Sequence, residues 1–284
     1  MLPRGIAMKL AVLSAIVATS SFTIAPFALS EAYRTEISAN YGETDSDYYS
    51  GDNYSVGLSG KLYFSPVDTA GLPLTEAAFL QKASSFSVSL SNNSYEYEGD
   101  NQEAYLRSAN VTYFIPNSIF FVGAGIAKNK WTYEYNFSDE AAPLNGSTDW
   151  ESRWSAAVGI APIDGLQVWS DFFEDTDVSE HWNLNAKYVK PLVGERAFGV
   201  EVRYSDYNEF DSHSINVSAD YYFTHRFSVG AGAGQAWSDE SDIEDQNTYN
   251  IHARHFLTEN ASVELSYSDY DYSTGWQLGG TIRF

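Results

Sequence analysis

Cysteine is absent from all 284 residues, so neither a disulfide nor a thiolate metal site is possible. Basic residues are scarce. Sixteen Lys and Arg stand against 38 Asp and Glu, a formal charge of −22. A surface that binds nucleic acid needs a basic patch, which excludes nucleic acid as a natural partner. Long apolar runs are missing too. After Ser30 no stretch approaches the roughly 20 residues that a membrane-spanning helix requires.

What the chain has in plenty is aromatic side chains, 16% of residues including 21 tyrosines. Rings in that number suit a membrane–water interface. They come in strict alternation with small polar residues. Ile215, Val217, Ala219, Tyr221 and Phe223 share one parity, while Ser214, Asn216, Ser218 and Asp220 share the other. A strand has a side-chain period of two, so such a segment has one apolar and one wet face. Segments of this kind run for about ten residues, the length a tilted strand needs to cross a bilayer.

The beginning of the chain reads as an export signal. Met8-Lys9 precedes an apolar stretch, Leu10 to Val17, and small residues follow up to Ala28-Leu29-Ser30. This is the layout of a secretory signal peptide, expected over residues 1–30 with Glu31 as the mature N-terminus. Met8 would serve equally well as a start. The mature chain, 31–284, loses Arg4 and Lys9 and carries 14 − 38 = −24.

Alternation and turn residues predict strands near 31–41, 53–64, 84–95, 103–115, 119–137, 149–161, 165–176, 180–191, 196–208, 211–223, 226–239, 246–257, 261–272 and 274–284. That makes fourteen. Twelve or sixteen stay open, because 165–176 alternates poorly around Trp169, Phe172 and Phe173. The odd-to-even connections are rich in Asp and Glu and hold no Lys or Arg. The even-to-odd ones are mostly tight and carry breakers such as Pro116-Asn117 and Pro162 to Gly165. A soluble β-sandwich has no reason to segregate its loops in this way, whereas a membrane separates two chemically distinct ends. The expected fold is all-β, a transmembrane antiparallel up-and-down β-barrel.

The last strand, Thr274 to Phe284, puts Trp276, Leu278, Ile282 and Phe284 on one face. Its aromatic terminal residue resembles the closing strand and assembly signal of bacterial outer-membrane barrels, which implies a partner in the barrel-assembly machinery. A second string is more specific. Tyr63-Phe64-Ser65-Pro66-Val67-Asp68-Thr69, followed by Pro73-Leu74-Thr75-Glu76-Ala77-Ala78-Phe79-Leu80, resembles a motif of the general bacterial porins of γ-proteobacteria. With the signal peptide and the terminal Phe284, the resemblance covers essentially the whole chain. It implies a diffusion channel for small solutes. The chain departs from trimeric porins of about sixteen strands, because no external connection is long enough to fold deeply inward as a constriction loop.

Parity assigns an inner side to Arg34, Glu36, Lys61, Arg153, Asp171, Lys187, Glu201, Arg203, Asp220, Arg254, Glu264 and Arg283. Charges at mid-strand are tolerable where they meet water or one another, since a lipid-facing charge near the midplane costs several kcal/mol. A polar lumen follows, either open as a pore or packed and salt-bridged in a structural or adhesive barrel. Pro66 to Lys82 is the longest even-to-odd connection and carries Leu72, Leu74, Phe79 and Leu80. It forms a plug across the mouth or packs against the lower rim; the sequence leaves both open.

Catalysis is not expected. His181 beside Glu180 is the one arrangement that suggests it, and an acidic rim produces such neighbours without a reaction to serve. No metal or other cofactor is expected either. Asp239 to Asp245 gathers acids without the glycine and spacing of a calcium loop. Two charges break the inward rule: Arg107 and Lys128 share parity with apolar neighbours and should face lipid, nearly opposite each other across the Pro116 turn. Outer-membrane lipid, and specifically a lipopolysaccharide phosphate, is the expected partner. A β-bulge before Trp131 that turns them inward is the competing outcome.

Overall fold

The computed structural model describes residues 32–46, 53–97, 100–135, 144–174, 181–207, 211–239 and 244–284. The expected signal peptide, Glu180 and most of the acidic external connections lie outside the described residues.

Fifteen strands form one antiparallel sheet: β1 (Ala32–Ser46), β2 (Asn53–Asp68), β3 (Ser85–Tyr97), β4 (Asp100–Phe114), β5 (Phe120–Tyr135), β6 (Leu144–Ser147), β7 (Glu151–Ile163), β8 (Leu166–Glu174), β9 (His181–Pro191), β10 (Ala197–Tyr207), β11 (Ser212–Thr224), β12 (Phe227–Ser238), β13 (Gln246–Thr258), β14 (Ala261–Tyr270) and β15 (Ser273–Arg283). Each pairs with its neighbours in sequence, except that β6 and β7 both pair with β5 and not with each other, and β1 pairs with β15, which closes the sheet on itself. The short β6 lies on the upper end of β5 (Thr132–Tyr135), directly above the part of β5 that pairs with β7. The two therefore share one place in the ring, and the barrel has fourteen strand positions. The expected strand at 149–161 is β7, and β6 is an additional short strand set off from it by the break at 148–150.

Closure decides stability. Every strand but the short β6 has partners on both sides, so the ring leaves no free edge for lipid to desolvate. The terminal Phe284 completes the seam. Its N–H donates to the Thr35 carbonyl (2.9 Å), and its own carbonyl accepts from Arg34 (2.6 Å) and Thr35 (3.1 Å). The purified barrel should accordingly migrate as a compact species in detergent gels until boiled. Identical migration of boiled and unboiled samples would contradict a closed barrel.

The outer face is apolar, as alternation requires. Leu58, Leu90, Val122, Ile126, Val158, Leu184, Val217, Ile251 and Leu265 are exposed. Rings edge that surface at the periplasmic end (Phe86, Phe120, Phe223) and again at the outer end (Trp154, Phe172, Tyr249, Tyr267). The periplasmic turns are tight. Gly165 holds φ +78°, and a Cβ there would meet the Val189 carbonyl oxygen at 2.1 Å, so only glycine fits between β7 and β8. A buried cluster of Tyr33, Tyr63, Val67 and Ala77 lies at the periplasmic end, formed with the one long periplasmic connection.

Candidate functional site

The inner wall carries several polar clusters. Trp169 and Asn185 both donate to Asp171 Oδ2 (3.1 and 2.9 Å), and Arg203 Nε donates to Asn185 Oδ1 (2.8 Å). Glu201 lies 3.9 Å from both Arg203 and Lys187. Further round, Asp220 meets His252 at 2.7 Å, and Arg254 forks onto Glu264 with Nε at 2.6 Å. Glu36 receives Arg283 Nε at 2.7 Å and the Tyr63 hydroxyl at 2.7 Å. Lys61 is cross-strand partner to Glu36 and is exposed. Arg153 shares its row with Ala127 on β5.

Small residues make room for these side chains. A Cβ on Gly234 would lie 2.2 Å from Asn216 Oδ1, so the asparagine amide rests flat over the glycine of the next strand. Two open recesses result. One of about 390 Å³ is bounded by Glu201, Arg203, Asn216, Ser218 and Asn250. Another of about 260 Å³ is bounded by Asn40, Arg254, Glu264, Gln277 and Thr281.

Arg34 does not join the wall. The pairing of β1 with β2 shifts register between Tyr33 and Thr35. Tyr33 packs edge-on against Tyr63 and under Arg283, so the bulge breaks the alternation that placed Arg34 inside. Its guanidinium is exposed and donates to the Phe64 carbonyl (2.8 Å) at the periplasmic rim.

The long periplasmic connection crosses the barrel. After a 3-10 turn, Leu74–Glu76, it forms the single helical turn α1 (Ala77–Leu80). Leu74 and Ala77 are fully buried. In a ring of fourteen positions β10 stands seven places from β2, diametrically opposite the strand from which the segment departs. Glu76 bridges the strands that flank β10: Lys187 on β9 lies 2.9 Å away, and the Tyr222 hydroxyl on β11 donates at 2.7 Å. The Leu74 N–H donates to the carbonyl of His225 in the β11–β12 turn (2.9 Å), and Arg283 on β15 donates to the Leu74 carbonyl (2.9 Å). On the other flank Gln167 on β8 donates to the Phe79 carbonyl (2.9 Å), and Lys82 reaches the Ala161 carbonyl on β7 (3.4 Å). Lys187 Nζ also stands 5.0 Å from the Phe79 ring. The segment thus reaches across the periplasmic mouth to the far wall and also packs on the rim through Tyr33, Tyr63 and Val67.

Sequence reasoning placed Lys187 and Arg283 inward without their partners. It missed Glu76, Tyr222 and Asn185. The one available signal for Glu76 was a lone acid among Leu74, Ala77, Ala78 and Phe79. An acid in an apolar segment needs a cation when buried.

Arg107 and Lys128 are direct cross-strand partners, as expected. The register between β4 and β5 runs unbroken from Asn101↔Glu134 to Phe114↔Phe121, so no bulge turns either residue inward.

Among solved structures, the chain resembles the Acinetobacter baumannii outer membrane protein Omp33 at 20% identity, covering 89% of this chain and 99% of that one with a TM-score of 0.64. It resembles the CymD monoaromatic hydrocarbon channel at 7% identity (89% of each chain, TM-score 0.60). A Pseudomonas aeruginosa FadL homologue matches at 9% identity, covering 89% and 91% with a TM-score of 0.57. These likenesses establish the barrel fold. No curated protein sequence is significantly similar. The profile of the family described as "Putative general bacterial porin" matches residues 7–142 and 157–284, nearly the whole chain. The chain belongs to that family and is a porin-like channel of the bacterial outer membrane.

Proposed function

We propose that the protein conducts small hydrophilic solutes or ions by passive diffusion, and that the plug at 68–82 gates its periplasmic mouth. The observation that carries this reading is the contrast along the lumen. A polar wall with open recesses ends in one strap tied to β9 and β11 by the carboxylate of Glu76. Fourteen strands enclose more space than the eight that side chains just fill. Selectivity then comes from pore width and wall charge rather than from a binding pocket. The twelve charges named from the sequence, without Arg34 and with Glu76 added, set the charge of the lumen, with Glu76 and Arg283 buried under the strap. In the same reading residues 1–30 direct export, and β15 with Phe284 is the segment that the assembly machinery engages.

Reconstitution in a planar bilayer tests the channel. Stepwise conductance is the expected result, and silence would favour a structural barrel with an occluded lumen. The burial of Leu74, Glu76 and Ala77 gives that second reading its footing.

A weak cation preference is expected at low salt. Without Arg34 the named wall residues number six basic and five acidic, and Glu76 makes them equal, so the acidic external connections set the sign. Their reach falls to about 8 Å at physiological salt. Reversal potentials across a salt gradient measure this. Anion selectivity would show instead that the wall dominates.

A further inference from the structure

Three cations face lipid where the barrel meets the outer leaflet. Leu58, Leu90, Arg107 and Lys128 occupy one cross-strand row, so their side chains point to the same side, and Leu58 and Leu90 are exposed on the apolar exterior. One pleat higher, Tyr105 pairs with Lys130, which carries Lys130 to the same face. Lys128 stands eight residues above Phe120, which belongs to the periplasmic ring of aromatics. With about 3.4 Å per residue and a tilt near 40°, that height is roughly 21 Å, close to the top of an apolar band about 25 Å tall. Trp154, exposed one pleat below on β7, marks the same level.

The charges are held and not neutralised. Among the described residues, none of Arg107, Lys128 and Lys130 makes an ion pair. Glu103, an acid of the same parity on β4, is engaged by the Tyr105 and Thr132 hydroxyls. The Arg107 guanidinium lies 4.4 Å over the Trp150 ring. Trp150 is brought there by the break between β6 and β7, which Thr148 fastens to the Trp131 backbone. Stacking occupies the face of the guanidinium and leaves its edge donors available for an oxyanion. Like charges set directly opposite repel unless an anion lies between them. Beside Arg107 a groove of about 250 Å³ runs between Val56, Leu58, Leu90 and Tyr105.

We propose that this patch is a binding site for a lipid-borne phosphate, the phosphorylated glucosamine headgroup of lipid A. Arg107, Lys128 and Lys130 take the phosphate, and the Leu58–Leu90 groove takes an acyl chain of the same molecule. The geometry joins a cationic cluster at headgroup height to an apolar groove beside it, which is the layout of an anionic lipid. It stands independently of whether the lumen conducts.

Native mass spectrometry of the detergent-solubilised barrel tests it with three probes: bisphosphorylated lipid A, the same lipid dephosphorylated, and inorganic phosphate. The wild type should retain the bisphosphorylated lipid. The triple variant Arg107→Ser/Lys128→Ser/Lys130→Ser should lose at least about tenfold of that binding, as expected for charge-assisted contacts. Its conductance and heat-modifiable migration should be unchanged. Lys128→Arg/Lys130→Arg keeps the charges and should keep the lipid. Equal retention of the dephosphorylated lipid by the wild type would overturn the proposal by reducing the site to a greasy groove. Displacement of the lipid by inorganic phosphate would reassign it to a soluble anion. A changed conductance in the triple variant would put these residues in the lumen.

Discussion

Removal of Thr69 to Gln81 is expected to raise single-channel conductance by about twofold or more and to abolish closures, since pore width dominates passive flux. The deletion leaves Lys82 to Ser84 between β2 and β3, and adjacent antiparallel strands need only a few residues to connect. The barrel ladder does not pass through the excised segment, so closure of the sheet survives. What is lost is the strap across the mouth, with its contacts to Lys187, Tyr222, Gln167 and the His225 carbonyl. A milder change isolates the latch. Glu76→Ala keeps the chain length but removes the carboxylate that ties the strap to β9 and β11. It should raise the open fraction while leaving the fully open conductance alone. Traces indistinguishable from wild type in both variants would refute a gating role.

The second large effect is expected at Arg283. Its side chain is 4% exposed, pairs with Glu36 at 2.7 Å, donates to the Leu74 carbonyl and lies between the Tyr33 and Phe256 rings at 4.5 and 4.6 Å. Arg283→Ala strips these contacts and leaves the Glu36 carboxylate without its cation, beside the Tyr63 hydroxyl. Breaking one side of a buried ion pair costs about 3–5 kcal/mol, far more than an exposed pair. Two readouts should move together: the temperature at which the compact gel species disappears should fall, and the strap should loosen. Arg283→Lys should rescue little, because an ammonium lacks the planar fork and the stacking faces. The double variant Arg283→Met/Glu36→Gln should recover much of the loss, since no buried charge is then left unpaired. An Arg283→Ala barrel as heat-resistant as wild type would show that the cluster contributes nothing to the seam.

Much of this architecture was legible beforehand because alternation is a local signal. Ile215 to Phe223 declares its two faces within nine residues. The parity of Arg107 and Lys128 survived intact because β4 and β5 join through a tight turn that fixes their register. Where parity failed, the cause was also local but invisible in spacing. At Arg34 the pairing steps two residues along β1 but five along β2, from Val67 to Leu62, so a residue counted inward by parity stands at the rim. The break at 148–150 was hidden in the same way, and it is the feature that delivers Trp150 to Arg107.

The sequence alone determined a closed antiparallel barrel with a wet interior, a greasy exterior and two chemically different ends, because each follows from a period of two and from where the charges fall. Only the tertiary structure decided what closes one of those ends. Glu76 meets Lys187 and Tyr222 across the full width of the ring, 111 and 146 residues along the chain. No spacing rule relates residues on opposite walls of a barrel. They become neighbours only when the last strand pairs with the first and the circumference brings them face to face.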